Sequence, residues 1–278
     1  MNFKAILGAS AAALALTGSA IAADLPGRAA PPVIVAPAPI FTWTGAYIGL
    51  TAGYGWGKTE WAGYPTGAWA ASPPADVAAI AALQSGSANK GSFTGGLQVG
   101  YNYQFGPVIV GAEADFNYLD TKVYRAAGAL LPVAGTFVTT STWAGIGEFV
   151  GTVRGKLGFG WDRFMVYGTG GLAYGNTTIT QNVFFAATGS SAIGSYSAWK
   201  AGWTAGAGVE WAFTPNWSAK VEYLHIDLGS RTSTGLINAA FPTFFHVAET
   251  RRMRADLVRA GVNYRFGWGG PAAVVARY

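Results

Sequence analysis

The chain has no cysteine, which excludes disulfides, thiolate metal sites and cysteine nucleophiles together. It has only two histidines, His225 and His246, and they form no metal-ligand pair, so neither a metal nor a cofactor is expected. Charge is scarce as well: Asp, Glu, Lys and Arg make up 11% of 278 residues, against about 25% in an ordinary soluble domain. That is too little to coat a globular surface. After the first 23 residues no helix-compatible apolar run reaches the ~20 residues a spanning helix needs, which excludes a helical membrane bundle. Basic residues outnumber acidic ones 18 to 13 but are not gathered into a patch, so nucleic acid is not an expected partner.

What remains is 51% hydrophobic residues, 14% aromatics, 11 tryptophans and 40 glycines. Disorder needs the opposite balance. The composition fits a glycine- and aromatic-rich β protein.

The amino terminus reads as an export signal: a basic start through Lys4, an apolar run from Ala5 to Thr17, and the small-residue site Ala20-Ile21-Ala22. Residues 1–22 are therefore expected to be removed. Prolines 26, 31, 32, 37 and 39 follow closely, and each fixes φ and removes a backbone donor. Residues 23–43 are expected to form an extended periplasmic leader.

From Trp199 to Phe213 the odd positions are Trp, Ala, Val and Phe, and the even ones Lys, Gly, Thr, Glu and Ala. This two-residue period belongs to a strand, since no helix sorts residues that way. The same alternation marks 44–57, 92–105, 108–119, 148–161, 164–175, 217–228 and 254–266, making eight segments. Each exceeds the 9–11 residues that a tilted transmembrane strand requires. Gly106-Pro107, Asp162-Arg163 and Thr214-Pro215-Asn216 are tight turns. The other connections, 58–91, 120–147, 176–198 and 229–253, are expected as long loops. Alternating short turns and long loops is the pattern of outer-membrane barrels, with the short turns in the periplasm.

A soluble barrel of the lipocalin kind would share the alternation but hide its apolar face. Charge placement separates the two, because Glu113, Asp115, Glu148, Arg154, Lys156, Lys200, Glu210, Lys220, Glu222, Arg259 and Arg265 all fall on the polar face. That face is otherwise mostly Gly, Ala, Ser, Thr and Asn, sized for the inside of a narrow barrel. The apolar face carries Trp56, Trp161, Trp199, Trp211, Trp217 and Tyr264 near strand ends, where interfacial girdles belong. The expected fold is all-β: an eight-stranded antiparallel transmembrane barrel over 44–266, followed by a tail at 267–278.

Several segments carry a family resemblance. They are Ala23-Asp24-Leu25-Pro26, Trp43-Thr44-Gly45-Ala46-Tyr47-Ile48-Gly49, Gly95-Gly96-Leu97-Gln98-Val99-Gly100-Tyr101-Asn102, Val153-Arg154-Gly155-Lys156-Leu157-Gly158, Tyr167-Gly168-Thr169-Gly170-Gly171 and Lys220-Val221-Glu222-Tyr223. In this order they resemble the alphaproteobacterial outer-membrane immunogenic protein family. The resemblance implies a small barrel like that of outer-membrane protein A, at the cell surface, structural or antigenic, with no agreed catalytic residues. It also brings the hemin-binding members of that family into view, with His246 or loop tyrosines as the candidate contacts.

Eight strands leave an interior just wide enough for side chains. Glu113, Asp115, Glu210 and Glu222 are therefore expected to pair with Arg154, Lys156, Lys220 and Arg259 in a lumen network. An ion path along the same charges is the alternative. Arg251, Arg252 and Arg254 cluster where the last loop enters its strand, and guanidinium forks there suit lipopolysaccharide phosphates. Solvated pairing with Glu249 and Asp256 is the other reading. No nucleophile is placed near His225, so no enzyme is expected. Ser72-Pro73-Pro74-Ala75-Asp76, ahead of Val77, Ile80 and Leu83, predicts a surface helix of about three turns. The whole reads as a monomeric structural barrel of the outer membrane, in contact with its lipids and with lipopolysaccharide and inserted by the barrel assembly machinery. A narrow channel or a hemin or small-ligand binder is the alternative function.

Overall fold

A computed structural model describes residues 41–237 and 244–267, with no account of the side chains of Trp69, Ala70, Arg231 and 233–251. The expected signal segment, most of the leader and nearly all of the tail lie outside the described residues. The strands are β1 (Gly45–Gly67), β2 (Gly86–Phe105), β3 (Val108–Leu119), β4 (Val123–Leu130), β5 (Phe137–Trp161), β6 (Phe164–Phe185), β7 (Ser190–Ala212), β8 (Trp217–Ile237) and β9 (Phe244–Arg265). Among the described residues one α-helix, α1 (Pro74–Leu83), stands in the expected place between β1 and β2, preceded by a 3-10 turn at Ala68–Ala71.

All pairings are antiparallel. β3 and β4 both pair with β5, the first with its lower half and the second with its upper half, so they share one place in the ring. β9 pairs with β1, which closes a barrel of eight staves. The three tight turns sit where expected, and Gly106 and Asp162 supply the positive φ these turns require.

The long connections are where the expectation fails. Nearly half of 58–91 and most of 120–147, 176–198 and 229–237 is strand, with β5 running for 25 residues and β6 for 22. At ~3.3 Å per residue and a tilt near 40°, such staves stand about 55 Å tall. A hydrocarbon band is only ~25 Å, so over half of the barrel's height projects into water.

The physical reason is legible along β6. Its odd positions face inward throughout. In the lower half the outward residues are Phe164, Val166, Leu172 and Tyr174; in the upper half they are Asn176, Thr178, Thr180 and Asn182. The inward residues change the other way, to Ile179, Val183 and Phe185. β8 repeats the exchange, with Val221 and Tyr223 giving way outside to His225 and Asp227, while Leu224, Ile226 and Leu228 take over inside. Side-chain direction is constant and the solvent changes. The lower barrel is turned toward lipid; above it the strands face water with apolar side chains between them, and among the described residues β7 above Trp203 pairs only with β6 and β4 only with β5, so the ring is closed in its lower half.

Among the described residues, buried side chains stack inside the barrel at successive heights. At the short-turn end Trp43, which was expected in the leader, is buried among Ile109, Met165, Tyr167 and Ala212. Above this floor lies the charged layer, then a core of Leu119, Ile146, Val150, Leu224, Ile226, Leu228, Met253 and Leu257. Higher still are Trp61, Ala144 and Ile179. α1 closes the upper end, packing Ile80 on Leu131, Val138, Val183 and Phe185. Its Asp76 accepts the backbone N–H groups of Val133 (2.9 Å) and Ala134 (3.0 Å), latching the helix to the β4–β5 turn.

Candidate functional site: the charged layer and the outer ledge

Five strands contribute the eight charges of the lumen. Inward positions of β3 supply Glu113 and Asp115, β5 Arg154 and Lys156, β7 Glu210, β8 Lys220 and Glu222, and β9 Arg259. Register brings them to one height, with Glu113 opposite Arg154, Glu210 opposite Lys220, and Glu222 opposite Arg259. Four acids meet four bases, so the layer is neutral.

Arg154 is its hub. The guanidinium donates to Glu113, to Asp115 Oδ2 (2.7 Å) and to Glu222 Oε1 (3.0 Å). Arg259 holds Asp115 Oδ2 (2.9 Å) and Glu222 Oε2 (2.6 Å). Lys220 donates to Glu113 at 3.0 Å, and Lys156 donates to Glu113 Oε2 at 3.1 Å. Glu210 is the looser member: Lys156 stands 3.9 Å away, while Ser218 Oγ (2.5 Å) and Asn263 Nδ2 (2.9 Å) donate to its other oxygen. Buried charges at this density persist when most lone pairs and protons are met; within the layer Arg154 Nε and Glu210 Oε2 are buried without a hydrogen-bond partner.

Neutral residues complete the layer, and a search for charges alone does not find them. Tyr47 donates to Glu113 Oε2 (2.6 Å) and accepts from Lys156, Tyr167 donates to Glu222 Oε1 (3.1 Å), and Thr152 donates to Asp115 Oδ2 (2.7 Å). Lys156 Nζ also lies over both tyrosine rings, 5.0 and 4.5 Å from their centroids. The available signal was parity, since Tyr47 and Tyr167 fall on the inward rows of strands whose other rows are apolar. Glycine makes room for them: a Cβ on Gly100 would lie 2.4 Å from Tyr47, and one on Gly208 2.6 Å from the Tyr167 hydroxyl. Glu148, assigned by alternation to the polar face, is not in the lumen. A bulge at 146–150 turns it outward, where it pairs with Lys122 at 3.4 Å.

A second polar group faces outward where lipid gives way to water. Lys58 pairs with Glu60 at 2.9 Å and lowers that carboxyl below its ordinary value by hydrogen bonding. Across the β1–β9 seam Lys58 stands opposite Arg254 and Glu60 opposite Arg252. Of the three arginines singled out in the sequence, Arg252 is exposed, Arg254 is held by Asp227 at 3.1 Å, and the Arg251 side chain lies outside the described residues, as does that of His246. Arg254 pairs with Asp227, and the Glu249 side chain lies outside the described residues.

Asp256 is engaged elsewhere, accepting from Tyr223 (2.6 Å) and lying 2.7 Å from His225 Nδ1. His225 therefore has an orienting carboxylate that the sequence alone did not place. Its neighbours on β7 are Ala205, opposite in register, and the Trp203 ring at 5.3 Å, and neither supplies a nucleophile. Among the described residues no cluster of three or more His, Cys, Asp or Glu could hold a metal ion.

Residues 9–266 match the family model described as the outer membrane protein beta-barrel domain. The chain is 37% identical over 268 residues to the 31 kDa outer-membrane immunogenic protein of Brucella melitensis, covering 95% of this chain and 100% of that one. It is 26% identical over 266 residues to the 25 kDa outer-membrane immunogenic protein of Brucella abortus, covering 95% and 99%. Among solved structures, the outer membrane protein OprG of Pseudomonas aeruginosa aligns with 12% identity over 81% of this chain and 99% of that chain, with a TM-score of 0.38.

Proposed function

The chain belongs to the outer membrane protein beta-barrel domain family, and from that premise we propose that it works as a structural post: a monomeric, non-catalytic, plugged barrel that braces the outer membrane and carries a tall water-facing crown. On this reading the 1–22 signal is removed on export, 23–40 remains as a periplasmic leader, and the barrel assembly machinery inserts 44–266.

The observation that carries the proposal is the filled lumen. Every charge in the layer is paired within it, and the Arg154, Lys220, Arg259, Glu113, Asp115 and Glu222 side chains have no exposure at all. An apolar core stands directly above them. A path for ions needs polar groups that hydrate the ion along its length, and this stack supplies the reverse. The purified protein in a planar bilayer is expected to give no unitary conductance, and a strain lacking it is expected to become sensitive to detergent and osmotic shock. Reproducible single-channel steps that change when Arg154 is replaced would instead establish a channel.

The outer ledge supports a lipid contact. Arg251, Arg252 and Arg254 meet lipopolysaccharide phosphates on this reading, with Arg252 the freest of the pair whose side chains are described and Lys58 beside them. Replacing the three arginines by Gln is expected to reduce the stabilisation that added lipopolysaccharide gives the refolded barrel; unchanged stabilisation would remove the contact.

A further inference from the structure

We propose that the outer face of β4, β5 and β6, above the membrane, is a binding groove for uncharged saccharide rings. The groove is built by register. At its lower edge Tyr124 and Trp143 are opposite one another, with ring centroids 4.7 Å apart. The next row upward is Ala126, Ser141 and Asn182, and the row above is Gly128, Thr139 and Phe184; Phe137 stands at the upper edge. Small side chains thus form a floor between two aromatic walls. The space above this floor is a shallow, open groove of about 540 Å³, within the ~300–1,000 Å³ range of small-molecule sites.

These aromatics are not part of the lipid-facing girdle. Trp143 stands above Phe149 on β5 and, because the bulge at 146–150 takes up two residues, about 10 Å higher along the barrel axis. At that height the same face of β6 and β7 is polar, and its hydroxyls pair with one another: Thr178 with Ser197 (3.3 Å) and Thr180 with Ser195 (2.8 Å). Tyr124, Phe137 and Trp143 are nevertheless 55, 48 and 52% exposed. A cluster of large rings exposed to water marks an interaction surface.

The chemistry selects the ligand. The floor offers the Ser141 and Thr139 hydroxyls and the Asn182 amide, whose Oδ1 is buried without a hydrogen-bond partner. Such an orphan acceptor is costly unless a ligand donor meets it. No lining side chain carries a charge, so the groove has no group to hold a phosphate or a carboxylate. A ligand that lays C–H faces on aromatic rings and directs O–H groups to a hydroxyl and amide floor, without charge, is a pyranose chain. The height above the membrane is that of the saccharides borne by outer-leaflet glycolipids. The competing occupant is an extended peptide, because β4 pairs only with β5 and the upper part of β2 only with β1, leaving free strand edges beside the groove.

The test is titration calorimetry of the full chain refolded in detergent, with maltohexaose as a free neutral glycan and core oligosaccharide released from the cell's own lipopolysaccharide as the second ligand. Millimolar or tighter binding of maltohexaose supports the groove, and tighter binding of the core oligosaccharide than of maltohexaose identifies the outer-leaflet glycolipid as the source. Phe184→Ser and Asn182→Ala are each expected to weaken binding by about tenfold, while Arg163→Gln, in the short β5–β6 turn at the other end of the barrel, leaves it unchanged. Heat-modifiable gel migration checks folding; if Phe184→Ser does not fold, Ser141→Val replaces it. No saccharide binding, binding indifferent to these variants, binding confined to anionic sugars, or binding only of an extended peptide that pairs with β4 would each overturn the proposal.

Discussion

Replacing Arg154 by Met tests the charged layer most directly. The substitution keeps length and apolar volume but removes three ion pairs, to Glu113, Asp115 and Glu222, from side chains with no solvent exposure. A neutral cluster then carries one uncompensated negative charge inside the barrel. Breaking one partner out of a buried ion pair costs about 3–5 kcal/mol, most of it the desolvated charge left behind. With a urea slope of about 2–3 kcal/mol/M for a domain of this size, the unfolding midpoint in lipid vesicles should fall by roughly 1–2 M. Adding Glu222→Gln restores neutrality, so the double variant should recover more than half of that loss. Lys58→Gln, which breaks an exposed pair, serves as the control and should leave the midpoint in place. If Arg154→Met moves the midpoint no further than this control, the lumen charges do not hold the barrel together and the post reading loses its foundation.

Trp43→Ala should destabilise the barrel by about 3–5 kcal/mol, read by the same urea transition, because a fully buried ring leaves the floor formed with Ile109 and Met165. Asp76→Ala should unlatch α1 from Val133 and Ala134, so that brief proteolysis cuts at 131–136 while the membrane half survives; uncut protein would show that the helix is held by packing alone. In vesicles of brominated lipid, single-tryptophan variants retaining Trp161, Trp211 or Trp217 should be quenched, and those retaining Trp43 or Trp61 should not, because the first three rings face outward and the last two inward. An epitope inserted at 187–188 should be reached by antibody on intact cells, and one at 106–107 only after the envelope is opened; the reverse result inverts the orientation.

The period of two, the three tight turns and the scarcity of charge determined the fold class without coordinates. A glycine-rich chain with outward tryptophans and inward acids and bases has few places to go besides a lipid-facing barrel. The short helix was equally legible, because a proline start and an apolar stripe are local signals. Parity put eleven charges on the polar face, Glu113 among them, since on a strand the neighbours of a residue decide which way it faces.

Tertiary structure decided the rest. The strands run past the membrane because their upper halves exchange the chemistry of their two faces. A search for one unchanging apolar row, ending at Trp56 or Tyr174, stops where the solvent changes rather than where the strand ends. Glu148 left the lumen through a bulge that no alternation rule registers. Which base meets which acid, the entry of Tyr47 and Tyr167 into the layer, the pairing of His225 with Asp256 and the groove between Tyr124 and Phe184 all depend on the stagger between strands far apart in the chain. A sequence records which face a residue takes, but only the closed ring sets the height at which two residues meet.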